Sequence, residues 1–185
     1  MAKKRLILRK ETAALFILFI MVFSVFAIWK TSQENKEEHN GFDFTLTQNG
    51  WTTIINKQQF LFNYLPKDLE DLNSTPILIT TPKVYVTYNP ENKGLDKSYT
   101  LEYLRSLFYQ NNIRPVLSCT QEKDCPEQLP IIDCDNAEAD VVLIQSGDES
   151  KIFKQGKCFI IQSEDNSDLT VLRERFVYSF LKVMD

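Results

Sequence analysis

Glycine is scarce in this sequence: there are five in 185 residues, and no two lie closer than nine positions. Phosphate-binding loops need several glycines within a few residues, because their backbone amides must approach the phosphates closely. The spacing therefore excludes a P-loop and a dinucleotide-binding fingerprint, and no nucleotide cofactor is predicted. The five are Gly41, Gly50, Gly94, Gly147 and Gly156.

Histidine is nearly absent, since the chain has only His39, in a polar segment near the N-terminus. Nucleophilic serine and cysteine systems rely on a histidine base held in the folded site. Zinc fingers and ribbons use histidine or Cys-x-x-Cys pairs, and the sequence has no such pair. These absences argue against histidine-dependent catalysis, a zinc finger and thioredoxin-like redox chemistry.

What the sequence does have is one long uncharged run near the N-terminus. Residues 12–29, "TAALFILFIMVFSVFAIW", are 18 residues without a charge. As a helix this run is about 27 Å long, close to the hydrocarbon thickness of a bilayer. It is apolar on all sides, unlike an amphipathic helix of a soluble domain. We therefore predict a transmembrane helix with Trp29 at the far interface.

The charges around this run predict its orientation. Residues 1–11 hold five basic residues and one acid, whereas the segment after Trp29 is mixed and slightly acidic. The positive-inside rule makes residues 1–11 a cytoplasmic stub and places everything after the span outside. The prediction is a single-pass, signal-anchored protein of the cell membrane with an extracytoplasmic C-terminal part.

Two other interpretations of the N-terminus stay open. A cleaved signal peptide has the same layout, and a cut after Ala27 would leave a mature chain starting at Ile28. A pilin-type leader also begins with a basic stub, but "LRKETAALF" lacks the Gly or Ala expected at its cut. All three interpretations export the rest of the chain.

The exported residues 30–185 contain all four cysteines, separated by five, eight and 23 residues. Outside the cytoplasm, an even number of cysteines predicts disulfides. Cys119 and Cys125 flank a polar loop, whereas Cys134 and Cys158 border two apolar strand candidates, "LPIID" and "CFIIQ". Adjacent strands would bring the latter two thiols within bonding range. We predict Cys119–Cys125 and Cys134–Cys158, with other pairings, a four-thiolate zinc site and redox chemistry as alternatives.

The exported part divides into a stalk and a domain. Residues 30–41, beginning "KTSQENKEEHN", are polar and aperiodic, which predicts a flexible stalk or, alternatively, a helical continuation of the span. Residues 42–185 contain no linker long enough to divide them. We predict one compact, disulfide-stapled domain of the mixed α/β (α+β) class.

The domain opens with a predicted three-strand β-meander, "GFDFTLTQNGWTTIINKQQFLFNYLP". Apolar and polar residues alternate with a period of two from Phe42 onward. Asn49–Gly50 predicts the first hairpin turn, and Asn56–Lys57 gives a weaker signal for the second. Pro66 should end the third strand and begin a short helix.

Strands and helices alternate further along the chain. "KVYVTYNP" predicts a strand, "SYTLEYLRSLFYQNN" an amphipathic helix capped by Ser98, and "IRPVLSC" the next strand. Together they predict a βαβ unit. "ADVVLIQ" predicts a buried central strand, and "KIFKQGKCFIIQ" a hairpin that turns at Gln155–Gly156.

The chain closes with a predicted helix in "SDLTVLRERFVYSFLKVMD". Its N-cap is predicted at Ser167 or Asp168. An apolar stripe at helical spacing should pack on the core; it comprises Leu169, Leu172, Phe176 and Phe180. Charged residues are expected on the opposite, solvent-facing side: Arg173, Glu174 and Lys182.

Two carboxylate-rich stretches are candidate sites. Asp133, Asp135, Glu138 and Asp140 lie within eight residues, but Ala137 and Glu138 stand where an EF-hand needs an oxygen ligand and a glycine. We therefore expect a solvated turn around a disulfide, with a looser calcium site as the alternative, and assign no metal ligand. The stretch "SEDNSD" is explained as the acidic N-terminus of the last helix.

Charge also limits the partners. The whole chain has a net charge of −4, and without residues 1–11 it has 16 basic and 24 acidic residues, a net charge of −8. An acidic exported domain repels phosphate backbones, so that no nucleic-acid partner is predicted. The same export makes Asn73, in the sequon Asn-Ser-Thr, a candidate glycosylation site.

Several stretches together resemble anonymous single-pass exported proteins of small-genome archaea. They are the basic stub before one span, "QQFLFNYLPKDLE", "YVTYNPEN" and the late four-cysteine pattern. The resemblance covers most of the chain. It implies no known activity and assigns a role to no residue.

The first functional hypothesis is a membrane-tethered, non-catalytic envelope domain that binds a protein or surface partner. The second is an envelope enzyme, such as a hydrolase with dispersed carboxylates, whose catalytic residues need not be close in sequence. A secreted protein released from a cleaved signal is a further alternative. Converging carboxylates in a deep cleft would favour the enzyme, and an exposed apolar patch would favour the binding domain.

Overall fold

The computed structural model describes residues 15–25, 36–72, 74–92 and 94–184. It has a mixed α/β fold with two sheets, a β-meander and a C-terminal helix. The chain divides into two compact units, Met1–Leu61 and Phe62–Asp185. The sequence predicted one compact domain over residues 42–185, whereas the meander forms a sheet of its own.

The first described segment, residues 15–25, is helical and is named α1. Its apolar side chains are exposed on every side, by between 48% and 67%. The hydroxyl of Ser24 donates to the carbonyl of Ile20 at 2.7 Å, which satisfies its polarity within the helix. Within the described residues, no helix combines the length and apolar character that a membrane span requires. The predicted span also includes residues 12–14 and 26–29, which lie outside the described residues, as does the stub 1–11.

The meander is confirmed, but it has four strands rather than three. In the sheet they lie in chain order: β1 (Lys36–His39), β2 (Phe42–Thr47), β3 (Gly50–Ile55) and β4 (Gln58–Phe62). The period-two pattern holds, since Phe44, Phe60 and Phe62 are buried while their neighbours along each strand are more exposed. β2 and β4 therefore turn these phenylalanines to the buried side of the sheet and the residues between them to the exposed side.

The extra strand corrects the prediction of a stalk over residues 30–41. β1 pairs antiparallel with β2, so that His39 lies opposite Phe42, while residues 30–35 fall outside the described part. Asn40 and Gly41 form the connecting turn, with φ angles of 49° and 80°. Two successive positive φ angles are typical of the two-residue hairpin turn that Asn-Gly favours. This dipeptide was the signal that could have placed the strand.

Of the other two turns of the meander, the one at Asn56–Lys57 lies where it was predicted and the one before Gly50 is shifted. Asn56 and Lys57 have φ angles of 51° and 68°, as a two-residue hairpin requires. The first turn is shifted by one residue, because Gly50 pairs with Thr47 and the turn itself is residues 48–49. The Thr47 hydroxyl supports this register by donating to the Gly50 carbonyl at 2.8 Å and accepting from the Asn49 amide at 3.3 Å.

The second unit contains a five-stranded sheet with two longer helices. Its strands are β5 (Lys83–Tyr88), β6 (Arg114–Cys119), β7 (Asp140–Ser146), β8 (Lys151–Gln155) and β9 (Cys158–Ser163). The helices are α2 (Ser98–Gln110) and α3 (Asn166–Phe180), and a short 3-10 helix covers Pro66–Leu69. The order in the sheet is β6-β5-β7-β9-β8, with β8 antiparallel to β9 and the other pairs parallel.

This arrangement confirms the βαβ unit, since α2 connects the parallel neighbours β5 and β6. β7 lies at the centre of the sheet and is buried along most of its length, as its continuous apolar run predicted. The hairpin β8–β9 turns one residue later than predicted, because Gln155 pairs with Cys158. The candidate strand "LPIID" is reduced to an isolated bridge between Ile131 and Cys119.

The C-terminal helix α3 is confirmed, but its environment is not the predicted one. Asp165, rather than Ser167 or Asp168, is the N-cap, since its side chain accepts from the amide of Asp168. Every residue from 172 to 179 is buried, including the charged ones. The expected solvent-facing side is therefore wrong for Arg173 and Glu174, because α3 is covered all round at this level rather than lying on a surface.

Candidate functional site

A surface groove lies on the outer side of the meander. It has a volume of about 410 Å³ and is open to solvent. Polar side chains line most of it, and its lining residues are Gly41, Phe42, Asp43, Thr45, Thr52, Thr53, Ile54 and Gln59. Strand alternation explains most of the set: Asp43, Thr45, Thr52, Ile54 and Gln59 lie on the side of the sheet opposite the buried Phe44 and Phe60.

Thr45 and Thr52 are two of the polar residues that line this groove. They lie directly opposite each other in the β2–β3 pair. The Thr52 hydroxyl donates to the Thr45 carbonyl at 3.2 Å. A hydroxyl has one proton to donate and two lone pairs, so that Thr52 offers its remaining capacity as an acceptor.

Ile54 gives the groove its apolar component. Its side chain is 70% exposed, while its neighbours Thr53 and Ile55 are buried. On the same side of the sheet, the next strand contributes Gln59 and the half-exposed Leu61. The groove therefore combines hydrogen-bonding groups with exposed aliphatic surface, as binding surfaces commonly do.

Few carboxylates lie at this groove. Asp43 is the only carboxylate among its lining residues. Glu38 lies directly opposite Asp43 in the β1–β2 pair, and both side chains are exposed. Two exposed carboxylates in water do not provide the separated environments that an acid and a base of a hydrolase need.

The cysteines form the two predicted disulfides. Cys119–Cys125 and Cys134–Cys158 have Cα–Cα distances of 6.1 and 5.5 Å. The two bonds account for all four cysteines, so that no free thiolate is present for zinc or redox catalysis. Disulfides indicate an oxidising, extracytoplasmic environment.

The disulfide-bonded connection between β6 and β7 covers one face of the five-stranded sheet. It contains no helix, although parallel strands are usually joined by one. Its Ile132 packs against the core around Tyr85, its amide donates to the Cys119 carbonyl at 2.8 Å, and its carbonyl accepts from the Thr87 hydroxyl at 2.8 Å. The Cys134–Cys158 bond then ties this connection to β9, in place of a packed helix.

The carboxylates of this region have structural partners. Asp133 accepts from the amides of Asp135 and Asn136 and so caps its own turn. Asp140 is buried and accepts from the amides and hydroxyls of Thr80 and Thr81. Burial opposes the charge on Asp140, but these hydrogen bonds outweigh it and hold the pKa of the carboxyl below its ordinary value.

The predicted alternative of a calcium site finds no support in the part of the chain that the structure describes, where no group of His, Cys, Asp or Glu side chains is arranged to hold a metal ion. Asn73, the candidate glycosylation site, lies outside the described residues. His39, predicted in a stalk, lies in β1.

A buried polar cluster is centred on Arg173 and Glu174 of α3. Glu174 is 2% exposed, and its carboxylate accepts from the amide of Asn63 at 2.9 and 3.0 Å, from the amide of Tyr64 at 3.0 Å and from the side-chain amide of Asn63 at 2.6 Å. Arg173 lies beside it, with Nη2 and Oε1 3.4 Å apart. These bonds fix the segment that follows β4 to α3.

Arg173 also lies between two aromatic rings of α2. Its guanidinium carbon is 4.8 Å from the ring centre of Tyr99 and 5.0 Å from that of Tyr103. Burial raises the pKa of Tyr103 to about 12, although the Arg173 charge acts in the opposite direction. Burial likewise raises the pKa of Tyr178, whose hydroxyl donates to the Tyr64 carbonyl at 2.7 Å. We interpret this cluster as structural, since its groups bind one another.

The carboxyl edge of the five-stranded sheet is a second candidate position for a ligand. Ligands of open α/β sheets bind where the strand order reverses, which here is between β5 and β7. Lys97 is 9% exposed there, burial lowers its pKa, and its ammonium donates to the carbonyls of Asn89 and Asn92. Asn166 at the start of α3 accepts from the Asp96 amide at 2.6 Å. These contacts occupy the edge with the protein's own loop.

Sequence reasoning assigned no role to the groove residues or to Glu174. The alternation in "FDFTLT" marks Asp43 and Thr45 as outward-facing, but only the twist of several strands makes a concave surface of them. Comparison with protein-family models, with curated proteins and with solved structures found no match. The geometry of the chain itself is thus the basis for a functional proposal.

Proposed function

We propose that this protein is a membrane-tethered, non-catalytic domain outside the cytoplasm that binds a protein or surface partner through the groove of its meander. The groove is the observation that carries the proposal. It offers about 410 Å³ of open space, exposed aliphatic surface at Ile54 and hydrogen-bonding groups on neighbouring strands. This combination suits recognition, whereas its single lining carboxylate does not suit hydrolysis.

The location outside the cytoplasm is supported by the two disulfides. Both bonds join segments of the second unit, and the Cys134–Cys158 bond spans 24 positions of the sequence. Such bonds persist in oxidising compartments and are rare in the cytoplasm. A disulfide-bonded fold of this kind suits an envelope protein, because the bonds stabilise the folded state.

The tether is supported by the N-terminal sequence and by α1. Residues 15–25 form a helix whose apolar side chains are exposed on all sides, which is costly in water and favourable in lipid. The uncharged run extends over residues 12–29, and the five basic residues before it predict the orientation.

The tether is tested on the full chain in intact cells and isolated membranes. External protease should remove the C-terminal part, and carbonate washing should leave the full-length chain in the membrane. A mature protein that begins at Ile28 would show instead that the run is a cleaved signal and the protein is secreted.

Binding through the groove is tested by a photo-crosslinking amino acid placed at Ile54 in the full-length membrane protein. A matched control carries the same group at Tyr109, which is 78% exposed on α2. We expect one reproducible adduct from position 54 and none from position 109. No adduct from position 54, or the same adducts from both positions, would contradict the proposed binding surface.

A further inference from the structure

The charge distribution beside the groove indicates what kind of partner it accepts. Resting on the proposed function, we propose that the groove binds a lysine or arginine side chain of a basic partner segment. The opposed carboxylates of β1 and β2 and the hydrogen-bond acceptors that line the groove both favour a cationic ligand.

Glu38 and Asp43 lie directly opposite each other on neighbouring antiparallel strands. Residues in this relation have Cβ atoms about 5 Å apart and point to the same face of the sheet. Like charges in such a pair repel and destabilise the sheet. A cation bound between them would remove this repulsion, so that binding and relief of strain on the pair would coincide.

The protein supplies no cation of its own to this pair within the described residues. Lys36 lies on the same face, opposite Thr45, and is the nearest basic side chain along β1. Among the described residues, no ion pair joins Lys36 to either carboxylate. The negative charge at Glu38 and Asp43 is therefore available to a partner.

The lining of the groove suits the same ligand. The Thr52 hydroxyl donates its one hydrogen bond to the Thr45 carbonyl, so that its oxygen remains available as an acceptor. Ammonium and guanidinium groups are donors only and need such acceptors. Exposed Ile54 offers apolar surface to the methylene stem that carries these groups, since long basic side chains bury their stems while the charged end stays polar.

Anionic partners are disfavoured by the same features. Glu38 and Asp43 would repel a phosphate or a carboxylate, and the part of the chain after residue 11 has a net charge of −8. Because this wider charge attracts any cation, a test must separate binding at the groove from general attraction.

The probe is a fluorescent penta-lysine peptide, and the protein is the full-length chain in nanodiscs of zwitterionic lipid. The test variant is Glu38→Gln/Asp43→Asn, which keeps the shape of both side chains. The matched control, Glu122→Gln/Glu127→Gln, removes the same charge from an exposed loop of the second unit. We expect the test variant to bind about 3- to 10-fold more weakly than the control, as two exposed charge contacts would give.

Amide hydrogen exchange locates the site, and the expected result is slower exchange in β2 and β3 when the peptide is bound. Equal losses in the two double variants, or protection confined to residues 120–138, would overturn the inference. Its failure is distinguishable from failure of the proposed function. A cross-link from position 54 that persists without penta-lysine binding at the groove would leave a binding domain whose partner is not basic.

Discussion

Replacement of Glu174 by alanine should destabilise the second unit strongly. The carboxylate accepts four hydrogen bonds from Asn63 and Tyr64 at 2.6–3.0 Å and lies beside Arg173, which is 3% exposed. Glu174→Ala would leave the two backbone amides and the Arg173 charge buried without their acceptor. Removing one partner of a buried ion pair costs about 3–5 kcal/mol.

This cost is a large part of the total, since a domain of this size is stable by about 5–15 kcal/mol. With about 2–4 °C of melting temperature lost per kcal/mol, Glu174→Ala should lower the Tm by about 6–20 °C. The assay is thermal and urea unfolding of the full chain, followed by circular dichroism with the disulfides intact.

The matched control is Glu102→Ala on α2. Glu102 pairs with Arg105 at 3.3 Å, but its side chain is 64% exposed. Exposed helix pairs contribute little, and we expect a change of less than about 0.5 kcal/mol. The reasoning would be refuted if Glu174→Ala and Glu102→Ala caused equally small shifts, because the α3 carboxylate would then be solvated rather than buried.

Three further predictions concern the same unit. Phe176→Ala should cost about 3–5 kcal/mol in urea unfolding, because this ring is fully buried and packs edge-on against Phe108; a loss below about 1 kcal/mol would mean that α3 is not packed there. Replacing both cysteines of the Cys134–Cys158 bond by serine should lower the free energy of unfolding by about 3.4 kcal/mol, and the same change at Cys119–Cys125 by about 2.2 kcal/mol. The difference arises because the two bonds close loops of 24 and 6 positions. A larger loss from the Cys119–Cys125 variant would contradict this explanation. The folded-state pKa of Asp140 is below its ordinary value of 3.8, so its stabilisation is complete above that value and is lost as pH falls through the lower one. Unfolding measured between pH 5 and about pH 2 should therefore be less pH-dependent in Asp140→Asn, and identical slopes would exclude a contribution from this carboxyl.

The sequence predicted most elements of the fold because their signals are local. The alternation from Phe42 to Thr47 and the apolar run of β7 appear in the structure as a strand with one buried side and a buried central strand. The disulfide pairing followed from two local facts, a polar loop short enough to close and two thiols that border apolar segments. Asn40–Gly41 was an equally local signal, but a charged context hid it.

The candidate site could not be predicted in the same way. Asp43, Thr45, Thr52, Ile54 and Gln59 are ordinary outward residues of three strands when each strand is considered alone. Only the pairing register brings them together, and Glu38 becomes relevant only because it lies opposite Asp43. A sequence pattern shows which side of a strand a residue occupies, but not which residue of another strand faces it.

The sequence by itself determined the apolar N-terminal run, the positions of most strands and helices, and the prediction of disulfides, because periodicity, charge and cysteine number are read over short distances along the chain. The tertiary structure alone decided the environment of Glu174. The apolar stripe of α3 predicts one packed side of this helix. The opposite side is also covered, because Asn63, 111 positions earlier in the chain, donates hydrogen bonds to the Glu174 carboxylate. A helical pattern contains no information about such a distant partner, and a charged residue can be buried wherever the rest of the chain supplies its hydrogen bonds.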